Sequence, residues 1–393
     1  MSEFVILSAT RTPIGTFQGG LAPLPATRLG AIAIQAAVAE ARVEPRDITD
    51  CLMGNVLQAG QGQAPARQAA IYAGLPTSTR AVTIHKVCGS GLQAVMQAAH
   101  ALAAGMGSIY VAGGMEAMSL APYLLPKARE GYRLGHQQVI DSLITDGLWD
   151  PYNNQHMGSC AEKCAKAHAF TREVQDAYAT ESFRRANAAQ KEGRFTREIT
   201  PVEIAHAKGP VTRIEHDEGP AKVKYEKIPL LKPAFEEDGT ITPANASSLN
   251  DGAAALVVTT AEVAKEKNLQ PIARLVSFGS YAHDPVWFTT APAHAARSAL
   301  RSAGWSVADV DLWEVNEAFA VVPLVFMAEL GVPFDRLNIN GGAIALGHPI
   351  GASGARIVVT LIAALKERGL KRGVAAICIG GGEGLAACIE LIG

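Results

Sequence analysis

Apolar and polar positions along this chain alternate between short β-type runs and longer stretches of small residues. Phe4-Val5-Ile6-Leu7 reads as a first strand. Arg80-Ala81-Val82-Thr83-Ile84 is another β-type run, and it leads through Lys86-Val87-Cys88-Gly89-Ser90-Gly91 into a long helical stretch of small residues. From Val87 to Met115 there is no Asp, Glu, Lys or Arg. The length would suit a membrane span, but the Gly, Ser, Gln and His100 within it predict a buried helix followed by a buried strand.

The pattern occurs twice. Ala36–Ala41 precedes Asp47-Ile48, a short apolar strand and Asn55; Ala296–Leu300 precedes Asp309-Val310, a short apolar strand and Asn316. Cys88-Gly89-Ser90-Gly91 opens a helix leading to the strand Ile109–Gly114, and Gly351-Ala352-Ser353-Gly354 opens one leading to Ala375–Gly382. The same order of elements in both halves predicts duplicated α/β units, each with helices on both faces of a mixed or parallel sheet. Between them, roughly Ser119 to Leu249, the chain is richer in charge, Pro, Tyr and Trp, with one clear helix from about Phe170 to Glu192 capped at Thr171-Arg172-Glu173. We read that region as an inserted loop domain, after which Ala253–Val258 returns to the first half. The expected divisions are 1–118 plus 250–269, 119–249, and 270–393.

Composition narrows the function. Hydrophobic residues make up 48%, charged residues only 18%, and the formal net charge is −2, which fits a large core and an oligomer and leaves no basic field for nucleic acid or a membrane surface. Six cysteines without a secretory signal predict a reduced, cytoplasmic protein rather than a disulfide framework.

Four positions carry candidate chemistry. Cys88 lies where a strand meets a helix start, among unpaired N–H groups that favour thiolate. His348, between Gly347 and Pro349, is held on a loop. Cys378 ends a buried strand that opens into Gly380-Gly381-Gly382, and Asn316 follows a strand in Glu314-Val315-Asn316-Glu317-Ala318-Phe319. Taken singly, Cys88 divides evenly between a nucleophile and a buried core thiol, and each of the others reads better as a satisfied polar residue on a loop; together they fall at strand ends and loops, where α/β proteins build sites.

Val87-Cys88-Gly89-Ser90-Gly91, Asn316-Glu317-Ala318-Phe319, Gly347-His348-Pro349 and Cys378-Ile379-Gly380-Gly381-Gly382 resemble the thiolase family, of the acetyl-CoA acetyltransferase (acetoacetyl-CoA thiolase) type. Leu7–Pro13, Met115–Ser119 and His156-Met157-Gly158 extend the resemblance over nearly the whole chain. It implies a five-layered α-β-α-β-α core with an inserted loop domain, and reversible Claisen condensation of two acetyl-CoA by ping-pong transfer through an acyl-Cys88 thioester. His348 would accept the Cys88 proton, and Cys378 would act as base toward the second acyl-CoA. Asn316, through a water, and His348 would hold the enolate oxygen, and the N–H groups of Cys88 and Gly380 would form a second oxyanion hole. Ser247 would bond the pantetheine arm of CoA, with Leu148, His156, Met157, Phe235, Ala246, Ala318 and Phe319 around it. The resemblance implies CoA thioesters as substrates, no prosthetic group or metal, and a homotetramer assembled through the segment from Tyr123 onward. A ketoacyl synthase-like relative is the rival enzyme reading, and Cys378 in its glycine setting speaks against it; an acyl-CoA or lipid-binding protein without catalysis is the other rival.

The family pattern is broken in four places. His85 stands where Asn is common, and either reorients the nucleophile or ends a strand quietly. Ser248 replaces a Gly beside the pantetheine and is expected to narrow or re-aim the CoA channel. Glu383 replaces a Met, and its carboxylate would oppose a Cys378 thiolate if it lies near and unscreened. Asp217–Lys222 lacks an Arg at the nucleotide end of CoA. Two other signals are set aside. Gly89–Ala94 with Glu116 matches a dinucleotide fingerprint only weakly. His156, Cys160, Cys164 and His168 would spread over about 18 Å of helix, too far to converge on one metal.

Overall fold

The computed structural model describes residues 3–206 and 209–392. The first half runs β1 (Phe4–Arg11), α1 (Ala26–Glu40), β2 (Asp50–Gly54), α2 (Pro65–Tyr72), β3 (Arg80–Ile84), α3 (Ser90–Ala103) and β4 (Ile109–Ala117). The middle region carries α4 (Met157–Ala167) and α5 (Arg172–Lys191), and β5 (Asn250–Thr260) returns to the first half. The second half runs β6 (Ala273–Ala282), α6 (Ala291–Ala303), β7 (Leu312–Val315), α7 (Val321–Leu330), α8 (Ile350–Arg368), β8 (Arg372–Ile379) and β9 (Glu383–Leu391).

The duplication is visible in the strand order. The first half pairs β1-β5-β4-β2-β3 and the second β6-β9-β8-β7, with a single parallel bridge, Trp313 to Leu337, standing where the first half has β3. In the first half β4-β2-β3 pair in parallel, in the second β8-β7 do, and the remaining partners are antiparallel. The halves join edge to edge where Phe4–Ile6 pairs with Ala273–Leu275.

Strand alternation then sets the layers. On β1, Val5 and Leu7 pack with α1 and α2, whereas Ile6 joins α3 and α8. On β8, Val374, Ala376 and Cys378 pack toward α6 and α7, whereas Ala375, Ile377 and Ile379 face α3 and α8. Helices α3 and α8 therefore form a middle layer touching strands of both halves, which gives the five layers the family resemblance implies. The repeated Gly-containing motifs make this contact possible. A Cβ on Gly91 would lie 2.6 Å from the Ala355 nitrogen, and one on Gly354 would lie 2.4 Å from the Leu92 nitrogen. The charge-free run from Val87 to Met115 is a buried helix followed by a buried strand, as its polar residues predict. Among the described residues no helix is long and apolar enough to cross a membrane.

The middle region is fastened to this frame by buried polar groups. Arg11, at the end of β1, donates to Glu198 at 2.6 Å and to both carboxylate oxygens of Asp217 at 2.7 and 2.8 Å. Glu317 accepts from Tyr178 at 2.8 Å and Ser182 at 2.7 Å, both on α5.

Candidate active site

The turn carrying Cys88 is strained and braced. Val87 has φ +44°, a left-handed conformation costly for a β-branched residue. Ser90 holds the turn from inside: its hydroxyl donates to the Val87 carbonyl at 2.6 Å and accepts from the Lys86 N–H at 2.8 Å. His85 is exposed and its ring accepts the Val87 N–H at 3.4 Å, so it supports this turn from outside. Cys88 precedes the first turn of α3, with Gly89 as N-cap. The N–H groups of Cys88 and Gly380 both reach the Cys88 sulfur.

The thiol is not the ready thiolate that the helix terminus predicts. Burial pushes Cys88 up to about 11, more than those two N–H groups offset, and Glu116 adds to the rise. Burial likewise holds Cys378 well above the ordinary thiol value, with Cys88 as a second cause. His348 is held down to about 3, by burial first and then by Arg356. Its loop lies directly before α8, as predicted, and Gly347 there has φ +108° with the Asn250 side chain packed where a Cβ would stand. The His348 ring meets Ser353 Oγ through Nδ1 at 2.6 Å, and Ser353 donates to the Pro349 carbonyl at 2.9 Å. Ser353 thus accepts from Nδ1–H, which leaves Nε2 bare to take a proton.

A cavity of about 510 Å³ opens onto Cys88, His348 and Gly380 and is lined by Leu148, His156, Met157, Phe235, Ala246, Ser247, Ala318 and Phe319. Eleven of the thirteen residues named from sequence therefore meet at one cavity. Asn316 and Cys378 do not line it: both are fully buried behind its wall. Asn316 Nδ2 lies 3.5 Å from each nitrogen of the His348 ring. His156 caps α4 by accepting the Gly158 N–H at 3.0 Å and stacks on Phe235 with centroids 4.7 Å apart. His168 sits at the far end of that helix, and Cys160 and Cys164 pack into the core. Ser247 Oγ donates to the Ala318 carbonyl at 3.0 Å and keeps acceptor capacity toward the cavity.

Two of the sequence departures act differently from expectation. Ser248 donates to Asn250 Oδ1 at 2.9 Å, and that same oxygen accepts the His348 N–H at 3.0 Å, so Ser248 belongs to the support of His348 as well as to the cavity wall. The Glu383 carboxylate pairs with Lys86. Glu116 is weighed from sequence only as the acid of a weak dinucleotide fingerprint, and its role here differs. It accepts from Asn55 Nδ2 at 2.8 Å and from the N–H groups of Val56, Leu57 and Gly351, joining both halves behind Cys88, and burial lifts it to about 7. The available signal was that Glu116 is the first acid after a long charge-free run.

Duplicated halves whose loops bring two cysteines, a histidine and an asparagine together define a class, enzymes that carry an acyl group on sulfur. The family signature described as "Thiolase, N-terminal domain" matches residues 4–262, and "Thiolase, C-terminal domain" matches residues 269–391. The chain is 50% identical over 391 residues to an acetyl-CoA acetyltransferase of Cupriavidus necator, covering 99% of this chain and 100% of that one. It is 49% identical to acetyl-CoA acetyltransferase 2 of Arabidopsis thaliana, covering 99% and 97%. The crystal structure of the Bacillus anthracis acetyl-CoA acetyltransferase superposes with a TM-score of 0.97 at 42% identity, covering 100% of this chain and 99% of that chain. Acat5 thiolase from Ascaris suum in complex with coenzyme A superposes with a TM-score of 0.94 at 46% identity, covering 99% and 100%. The chain belongs to the thiolase family.

Proposed function

We propose that this chain condenses two acetyl-CoA molecules to acetoacetyl-CoA and CoA, and catalyses the reverse thiolysis, as a cytoplasmic homotetramer. The observation that carries the reading is the Cys88 sulfur, opening on the cavity with two backbone N–H groups aimed at it. Cys88 and His348 both rest neutral, so the proton moves from sulfur to His348 Nε2 as the sulfur attacks the acetyl carbonyl. The N–H groups of Cys88 and Gly380 hold the oxyanion. The departing CoA sulfur takes the proton of Cys378, which leaves an acetyl thioester on Cys88, a protonated His348 and a Cys378 thiolate. That thiolate removes the α-proton of the second acetyl-CoA, and the enolate oxygen is held by His348 Nε2–H and, through a water, by Asn316. The enolate carbon attacks the acetyl group, Cys88 leaves and recovers its proton from His348, and both thiols are restored. Nothing in the cycle needs a metal or a prosthetic group.

The arm of CoA would lie along Phe235, Met157, Leu148 and Phe319, with Ser247 accepting a pantetheine N–H. A second cavity of about 380 Å³ shares Pro243 and Ser248 with the first and is lined by Lys222, Lys224 and Lys227. These lysines would take the phosphates in place of the missing Arg. Exposed apolar Tyr123, Leu125, Leu134 and Val139 support assembly through the middle segment. Incubation with acetyl-CoA should add an acetyl mass to the Cys88 peptide; absence of that adduct would refute the reading.

A further inference from the structure

We infer that Arg356 is a positioning residue for the condensation step, fixing which end of the Asn316 amide faces the reacting oxygen. The inference rests on the reaction proposed above and adds a residue to it. Arg356 lies in the second turn of α8 and is 2% exposed. Its Nη1 donates to Glu314 Oε1 at 2.6 Å and its Nη2 to Asn316 Oδ1 at 3.4 Å. Glu314 and Asn316 lie two residues apart at the end of β7. One guanidinium fork therefore spans both.

A guanidinium has donors only, so the amide atom facing it is the oxygen. The Asn316 NH2 group is thereby turned the other way, where it lies 3.5 Å from each His348 ring nitrogen. That orientation presents a donor to the water that would hold the developing enolate oxygen. A flipped amide would set its NH2 against the guanidinium, and its carbonyl oxygen would take a proton of the bridging water in place of donating to it, which weakens that water's bond to the enolate. A buried ion pair such as Arg356–Glu314 contributes little net stability over an apolar replacement. Stability therefore does not account for the pair, and the orientation of Asn316 does.

The test separates the two half-reactions. Arg356→Met combined with Glu314→Leu removes both charges, so neither is left buried alone. The double variant should lose about 10²-fold in condensation, the loss typical of one oxyanion donor, and distinctly less in acetylation, where Arg356 acts only through the charge it places near His348. In an Asn316→Ala background the same pair of substitutions should lower condensation no further. Arg356→Lys, which keeps the charge but not the fork that spans Glu314 and Asn316, should fall between. Unchanged condensation overturns the inference, as does an equal fall in acetylation and condensation, or a loss that adds to that of Asn316→Ala. If the double variant does not fold, Arg356→Lys is compared with and without Asn316→Ala: a loss that vanishes without Asn316 supports the inference, and one that persists overturns it. A wild-type protein that neither acetylates Cys88 nor condenses would refute the reaction itself, whereas wild-type activity with unchanged variants refutes only Arg356.

Discussion

Lys86 and Glu383 form an ion pair that ties the turn before Cys88 to the turn after Cys378. The two turns come from different halves, and the oxyanion hole proposed here takes one N–H from each. Near and unscreened, the Glu383 carboxylate would oppose a Cys378 thiolate. Its charge is instead matched by Lys86, and the groups that raise Cys378 are burial and Cys88. The side chains are 25% and 37% exposed, so the pair contributes at most about 1 kcal/mol and weakens with salt. Glu383→Met should therefore leave the alkaline side of the pH–rate profile in place and slow condensation modestly at low ionic strength. Exchanging the charges, Lys86→Glu with Glu383→Lys, should restore the low-salt rate. A shifted alkaline limb would show that the carboxylate acts on Cys378 after all.

The raised Cys88 thiol makes a prediction of the opposite sense to that of a thiolate at a helix terminus. With its pKa at about 11, the thiol form dominates at neutral pH. Alkylation of Cys88 by iodoacetamide, followed on its peptide by mass, should be slower at pH 7 than for an unperturbed thiol. It should rise about tenfold per pH unit past pH 9, because only the thiolate reacts. A plateau at or below about 8.5 would mean that the N–H groups outweigh burial.

The fold was legible in the chain because each half repeats its apolar runs, and the motif loops interrupt them with Gly, Pro and polar residues. The positions of Cys88, Asn316 and Cys378 at strand ends and of His348 on a loop before α8 followed from those interruptions. What escaped the reading were groups whose partners are far away in sequence. Glu116 joins Val56 to Gly351, Asn250 holds the His348 backbone, and Arg356 reaches Glu314 and Asn316. Each looks locally like an ordinary polar residue in a strand or helix. The direction of the thiol shifts escaped for a similar reason: a helix terminus shows in the sequence, whereas the depth of burial produced by packing two sheets on α3 and α8 does not.

Cys378 should separate the half-reactions. Cys378→Ser replaces the proposed base with a hydroxyl far too weakly acidic for the role, yet leaves Cys88, His348 and both oxyanion N–H groups in place. Acetylation of the Cys88 peptide should persist, though slowed because the departing CoA sulfur loses its proton donor. Condensation should fall by at least the 10²- to 10⁴-fold that general base catalysis commonly supplies. Condensation at the wild-type rate would remove Cys378 from the mechanism.

Lys224 and Lys227 test where the far end of CoA lies. Both are exposed and line the cavity that adjoins the acyl cavity at Pro243 and Ser248. Contacts of an exposed ammonium with phosphate resemble surface ion pairs, at about 0.5–1 kcal/mol each. Such contacts form equally with bound substrate and with the transition state, so losing them raises KM and leaves kcat unchanged. Lys224→Ala with Lys227→Ala should raise KM for acetyl-CoA about five- to thirtyfold at low ionic strength, with kcat unaltered. The difference from wild type should shrink as added salt shortens the screening length toward 3 Å near 1 M. A KM equal to the wild-type value in low salt would place the phosphates elsewhere, and a fall in kcat would mean that these lysines also shape the acyl cavity.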